Sequence, residues 1–262
     1  MERLAGRVAF ITGAGAGIAR AAAALFANQG ADGGLVDIDA QRGSSAEKAL
    51  REQGRQALFV HADVTQEESV IAAVNAVVRA FGKVDLLFNC AGGSLVDDNL
   101  ITDVDLRDVW KRTMEVNLLG TMMCCRHVIP AIISAGGGTV VNMSSGAALR
   151  GASPLHVYTA AKGAIVSLTQ ALAGAYVKRN VRVNAICAGR IQTERNVVKY
   201  GADGMGGGTV VDRQPAAERV KDYPLWVGQP RDIANIALFL STDESRMITG
   251  AAIPADGGRS AY

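Results

Sequence analysis

The sequence predicts a three-layer α/β fold, a doubly wound parallel sheet of about seven strands with helices on both faces. Three observations carry that prediction. Short β-rich runs alternate with longer helical segments from one end of the chain to the other, the pattern of repeated βαβ crossovers. The strand runs are apolar without alternation, as strands covered on both faces must be. A glycine-rich stretch joins the first strand to the first helix, where an open α/β sheet binds anions.

In chain order, "RVAFIT" (7–12) leads to an alanine-rich helix over 18–29, and "GLVDI" (34–38) to a helix over 40–53. "ALFVHA" (57–62) precedes a helix over 66–81, and "VDLLFNCA" (84–91) a long helical segment over about 105–134. "GTVVNMS" (138–144) precedes a helix over 157–178, "VRVNAICA" (181–188) one over 230–240, and "AAIPA" (251–255) closes the sheet. Two glycines stand where the second strand should begin, in "ADGGLVD", and weaken its strand propensity. Between 189 and 229 glycine, charge and proline interrupt the alternation. This segment follows a strand C-terminus and reads as a substrate-binding lid, with a plain surface loop as the alternative. With no internal repeat and no dividing linker, residues 1–262 are expected to form a single domain.

Lys plus Arg number 27 against 25 for Asp plus Glu, so the net charge of +2 gives no electrostatic footprint for nucleic acid or a membrane surface. No uncharged apolar segment approaches the roughly 18 residues that span a bilayer, and the first strand run begins too near Met1 to leave room for a signal peptide. Cys90, Cys124, Cys125 and Cys187 form no CxxC pair and keep no histidine cluster, which argues against zinc and a disulfide framework. Free thiols in a reducing cytoplasm and a small-molecule partner are expected.

In "TGAGAGIA" (12–19) Gly13 permits a tight turn, while Gly15 and Gly17 let backbone approach a pyrophosphate at the helix N-terminus. Asp37 ends the second strand, placed to accept from the ribose hydroxyls of a dinucleotide or to be a simple strand-end acid. A 2′-phosphate would meet like charge there, and Ile38 follows, so NAD is favoured over NADP; Arg42 is the one nearby cation with the reach to alter this. In "VYTAAK" Tyr158 and Lys162 fall on one helix face. At ~5 Å and an effective dielectric of ~20, the ammonium favours the phenolate by roughly 3 kcal/mol. A phenol so tuned exchanges protons with an alcohol or carbonyl.

With those motifs goes a set in fixed order: "HADVT" (61–65), "NCAG" (89–92), "EVNLLG" (115–120), "VVNMSS" (140–145), "VNAICAGRIQT" (183–193) and "PADGG" (254–258). Over essentially its whole length the chain resembles the short-chain dehydrogenase/reductase family, whose Rossmann-type fold fits the pattern above. The resemblance implies Tyr158 as general acid/base, Ser145 as the hydroxyl that polarises the substrate oxygen, and Lys162 as a ribose ligand that lowers the phenol. Asn117 would support a water-linked proton relay, or merely accommodate a local bend; Ser144 would point into strand packing. Around the cofactor the resemblance implies Gly13, Gly15, Gly17 and Ile18, then Asp37, Ile38, Asp63 and Val64. It adds Asn89, Ala91 and Gly92 after the fourth strand, and Gly189, Ile191 and Thr193 after the sixth. It also implies a homotetramer packed through 105–134 and 157–178. Two departures stand out. Ala19 replaces the third motif glycine, and Ala188 replaces a proline, leaving the loop from Gly189 less fixed.

The implied reaction is NAD-dependent hydride transfer between a secondary alcohol and a ketone. Alternatives are an isomerase or lyase that recycles NAD and a non-catalytic NAD-binding regulator. Expected pocket walls are 93–96, 147–149, 153–155 and the 190–227 excursion with Met205 and Trp226, mainly neutral, which points to a substrate of modest polarity. Arg190, Arg195 and Lys199 either line a solvated loop face, the favoured use of such charges, or meet a substrate carboxylate or sulfonate. His156 either enters the pocket or lies exposed at its helix start, and Cys90 and Cys187 are expected to make the protein sensitive to thiol reagents.

Overall fold

The computed structural model describes residues 2–151, 153–200 and 225–261. The seven strands of its main sheet are β1 (Val8–Thr12), β2 (Asp32–Asp37), β3 (Ala57–His61), β4 (Leu86–Asn89), β5 (Gly138–Ser145), β6 (Val181–Ala188) and β9 (Ala252–Ala255). They run parallel in the order β3-β2-β1-β4-β5-β6-β9. A two-strand ribbon, β7 (Arg190–Ile191) with β8 (Val227–Gly228), stands apart from it.

The unbroken apolar strands follow from burial on both faces. In β1, Ala9 and Ile11 join a core beneath α1 (Gly17–Asn28), α2 (Ala40–Glu52) and α8 (Pro230–Ser241). Val8 and Phe10 join the opposite core, beneath α3 (Glu67–Phe81), α5 (Gly120–Ser134) and α6 (His156–Tyr176). Alternate side chains thus point into different cores.

The glycines of β2 do not prevent a strand. A Cβ on Gly34 would lie 2.6 Å from a methyl of Val77, so the missing side chain is what lets α3 pack down on β2. The long helix expected from 105 begins at Asp108, because the Asp105 carboxylate caps it from outside by accepting from the N–H of Arg107 at 2.9 Å. It is not continuous: α4 (Asp108–Met114) passes through a π-helical turn, Glu115–Leu119, into α5. The composite helix is apolar and long enough to cross a bilayer, yet its inner face, with Cys124, Cys125, Val128, Ile129 and Ile132, is buried in the second core. α6 ends at Tyr176, and Asn180 takes a left-handed φ of 57° to enter β6. The end of α8 and the turn after it are held by Arg182 of β6, whose guanidinium donates to the carbonyls of Leu240, Thr242, Ser245 and Ile248.

Candidate active site

Strand order reverses between β1 and β4, so the loops after them diverge and open a crevice at the C-terminal edge of the sheet. The cleft there has a volume of about 570 Å³. Its floor is drawn together by Thr12, whose hydroxyl oxygen accepts from the N–H groups of Cys90 at 3.0 Å and Ala91 at 3.1 Å. Gly13, with φ 72°, passes so close that a Cβ there would lie 3.1 Å from the Ala91 backbone.

The N-terminus of α1 opens into this cleft without a capping side chain of its own. Its Gly17 N–H instead donates to the Glu194 carboxylate at 3.1 Å, and Glu194 also pairs with Arg20. Glu194 begins α7 (Glu194–Tyr200). Its carboxyl is held below the usual range, first by a hydrogen bond from its own backbone N–H and further by Arg20. The helix end thus already receives an anion, the test a dinucleotide pyrophosphate would have to meet.

Asp37 lines the cleft with Ile38, and its carboxylate accepts from the N–H groups of Gly15 and Asp39, both at 2.8 Å. Gly15 itself does not line the cleft. A Cβ on it would lie 2.8 Å from Cβ of Arg42 and 3.0 Å from the Asp37 carboxylate, so its lack of a side chain lets α2 pack against this turn. Arg42 does reach the cleft, ion-paired to Asp39 at 3.3 Å. Asp63 and Val64 form the next part of the wall, the Asp63 carboxylate accepting from the N–H and hydroxyl of Thr65.

Ala91 and Gly92 line the cleft, but Asn89 does not. Its amide turns inward and donates to Asn142 Oδ1 at 2.9 Å and to the Cys125 sulfur at 3.3 Å. Asn142 passes the chain on to the Thr169 hydroxyl. This network ties β4, β5 and α6 together beneath the site, although Asn89 Oδ1 is left buried without a partner among the described residues.

Tyr158, Lys162 and Ser145 all line the cleft. The Lys162 ammonium lies 5.6 Å from the centre of the Tyr158 ring and donates to the Met143 carbonyl at 2.8 Å. Burial of the lysine pulls it down to about 8. Ser145 Oγ accepts from the Ala147 N–H at 3.2 Å, while Ser144 is buried and donates to the Lys162 carbonyl at 2.8 Å. Asn117, in the π-helical turn, is fully buried and does not line the cleft. Its side-chain oxygen accepts from the Gly93 N–H at 2.9 Å, and its amide donates to the Gly93 and Thr113 carbonyls. Those bonds spend the side chain on holding the loop after β4.

Asp98, which motif reading passes over, proves central to the site. It is 2% exposed and caps α6 from a distant loop, accepting from the N–H of Val157 at 3.2 Å and of Tyr158 at 2.7 Å. Leu155, the residue before α6, supplies no side-chain cap. A lone aspartate 60 residues upstream carries no spacing signal, so only the tertiary structure exposes this role.

After β6, Gly189, Ile191 and Thr193 line the cleft, and the Thr193 hydroxyl also caps α7 by accepting from the Asn196 N–H. Gly189 is fixed without a preceding proline: its N–H donates to the Ala255 carbonyl, and a Cβ would lie 2.7 Å from Asp256 Cα. Ala19 is buried and fits beneath the loop. One expectation for the surroundings needs correction. Trp226 stacks under the Arg259 guanidinium at 3.8 Å instead of walling the cleft. Of the two alternatives for His156 the structure favours the helix start: the ring stays out of the cleft and accepts from the Ile101 N–H. Cys90 lines the cleft, and burial pushes its thiol up to about 12 despite nearby Lys162; burial raises Cys187 as well. Arg195 is exposed, as a solvated face requires, and it also lies along the cleft. Met205 and most of the expected lid lie outside the described residues, as does the side chain of Lys199.

The family model described as Enoyl-(Acyl carrier protein) reductase matches residues 13–260. The chain is 35% identical to 2-(S)-hydroxypropyl-CoM dehydrogenase 3 of Xanthobacter autotrophicus, with 99% of each chain covered. It is 34% identical to cis-4-hydroxycyclohexanecarboxylate dehydrogenase of Sinomonas cyclohexanicum, again over 99% of each. Cyclohexanol dehydrogenase of Acinetobacter is 32% identical, with 96% of this chain and 94% of that one covered. Among solved structures, a 7α-hydroxysteroid dehydrogenase complexed with NADH and 7-oxo glycochenodeoxycholic acid superposes with a TM-score of 0.85 at 30% identity, covering 98% of this chain and 95% of that one.

Proposed function

Because this chain belongs to the short-chain dehydrogenase/reductase family of NAD(P)-dependent oxidoreductases acting on alcohols and ketones, we propose that it is an NAD-dependent dehydrogenase of secondary alcohols working through Tyr158. The observation that carries this reading is one cleft holding both halves of the chemistry. Tyr158, Lys162 and Ser145 share it with Asp37 and the open N-terminus of α1.

In this proposal Gly13, Gly17 and Ile18 hold the pyrophosphate, and Asp37 accepts from the adenosine ribose. Bound NAD supplies the hydride acceptor. The protein's own groups act on the substrate oxygen. Tyr158 takes the proton of the carbinol in oxidation and returns it to the carbonyl in reduction. Ser145, accepting only from Ala147 among the described residues, keeps its own proton to donate to that oxygen. Lys162, anchored on the Met143 carbonyl, retains donors for the nicotinamide ribose and places positive charge beside the phenol. Asn117 acts at one remove, by fixing Gly93 at the cleft wall.

Support for NAD over NADP comes from Asp37, whose carboxylate is held in place by two N–H groups, and from Arg42, whose charge is already matched by Asp39. A homotetramer is proposed as the assembly.

The test is a screen of secondary alcohols and ketones with NAD(H) and NADP(H), followed at the absorbance of reduced nicotinamide. Turnover with NAD is the expected result. Reduction of an enoyl thioester but of no ketone would replace this reading with the one the family description names. Substrate conversion without net absorbance change would point to an isomerase or lyase.

A further inference from the structure

We infer that Arg195 is a substrate-recognition residue, and that the substrate is a carbinol which also carries a carboxylate or sulfonate. This deepens the function proposed above and rests on it.

Arg195 is the second residue of α7, but its side chain crosses to the opposite wall of the cleft. There Nη1 donates to the Gly92 carbonyl at 3.2 Å and Nη2 to the Ser94 carbonyl. The seat is built for it. A Cβ on Gly93 would stand 2.1 Å from Nη1, so the guanidinium occupies the space that glycine leaves. The seat is also stiff, because Asn117 grips both the N–H and the carbonyl of Gly93.

What the seat does not contain is a counter-charge. Arg42 pairs with Asp39, and Arg20 with Glu194, but among the described residues no carboxylate pairs with Arg195. Two neutral carbonyls fix the cation's position without cancelling its charge. They also leave donors unused, since a guanidinium has more than two N–H groups. Its charge is felt at the catalytic end, where it adds to the forces that pull Lys162 down. A planar fork held in place, charged and unmatched, on the wall of a cleft that also holds Tyr158, is the arrangement that recognises a carboxylate or sulfonate. An anion arriving there also offsets the repulsion between Arg195 and Lys162.

The experiment compares matched secondary alcohols, such as 4-hydroxycyclohexanecarboxylate and cyclohexanol, in the wild type, Arg195→Met and Arg195→Lys. We expect kcat/KM to favour the anionic member by 10-fold or more in the wild type, the preference to vanish in Arg195→Met, and part of it to return in Arg195→Lys. NAD affinity should be the same in all three proteins. A wild type without preference, or a preference that survives Arg195→Met, overturns the inference. So does a loss confined to NAD affinity, which would assign the arginine to the cofactor's phosphates. Calorimetric binding of cyclohexanecarboxylate, at least 10-fold weaker in Arg195→Met, judges the arginine even if neither alcohol is turned over. In that case failure of the catalytic reading is seen separately.

Discussion

Tyr158 and Lys162 show how far residue spacing carries a chemical argument. Helical geometry requires the two to be neighbours, and the ammonium does lie 5.6 Å from the ring. Replacing Tyr158 by Phe should therefore lower kcat by at least about 10²-fold while NAD affinity, read by fluorescence titration, stays unchanged. Spacing says nothing of the lysine's own desolvation, and here that effect is large. Its folded value of about 8 lies below the 10.5 of an exposed lysine, so between those pH values the unfolded chain binds the extra proton. Stability accordingly rises with pH through that window, by about 3 kcal/mol at most, and is flat in this respect below it. Urea titrations at pH 7.5 and 10 should show the rise in wild type and its absence in Lys162→Met; equal slopes in both would refute the assignment. Asp98 marks the other limit of sequence reading. Asp98→Ala removes both bonds to the first turn of α6, which should cost about 1–3 kcal/mol. It should also lower kcat with little change in NAD affinity, with Asp98→Asn intermediate because its single oxygen can still accept.

At the scale of the element, local signals located the strands and helices well, because each apolar run had only one way to be covered on both sides. What they missed depends on partners distant in sequence. Gly34 weakens β2 on propensity and strengthens it in place, since Val77 of α3 fills the gap. The π-helical turn at Glu115–Leu119 has no periodic signature, yet it sets Asn117 against Gly93. The start of α7 is similar: nothing in "TERN" foretells that Glu194 reaches the first turn of α1. If a pyrophosphate is to sit on that turn, it must displace this carboxylate. Glu194→Gln should then tighten binding of NAD and ADP-ribose several-fold while leaving adenosine unchanged, because adenosine brings no anion to the contested N–H. Equal tightening of adenosine, or no tightening at all, would show that Glu194 and the phosphates do not compete.

For the whole molecule, the decisive feature is how the composite helix α4–α5 divides its apolar residues. One face supplies the core against the sheet, as burial of Val128, Ile129 and Ile132 shows. The other face leaves Trp110, Leu119 and Met122 largely exposed, with Leu106 just before it. Large apolar side chains clustered on one exposed helix face cost solvation in a monomer, and a second copy of the same helix can cover them isologously. The chain should therefore sediment as a multiple of its 27.3 kDa mass, with the tetramer as the expected species. Met122→Glu and Trp110→Glu place charge in that contact without touching the cleft, so they should shift the mass downward while circular dichroism keeps the wild-type helix content. A wild type that sediments as a monomer at micromolar concentration would remove the interface. If the variants dissociate and also lose kcat, then the contact does more than hide apolar surface: it steadies the π-helical turn, and through Asn117 and Gly93 the cleft wall on which Arg195 rests.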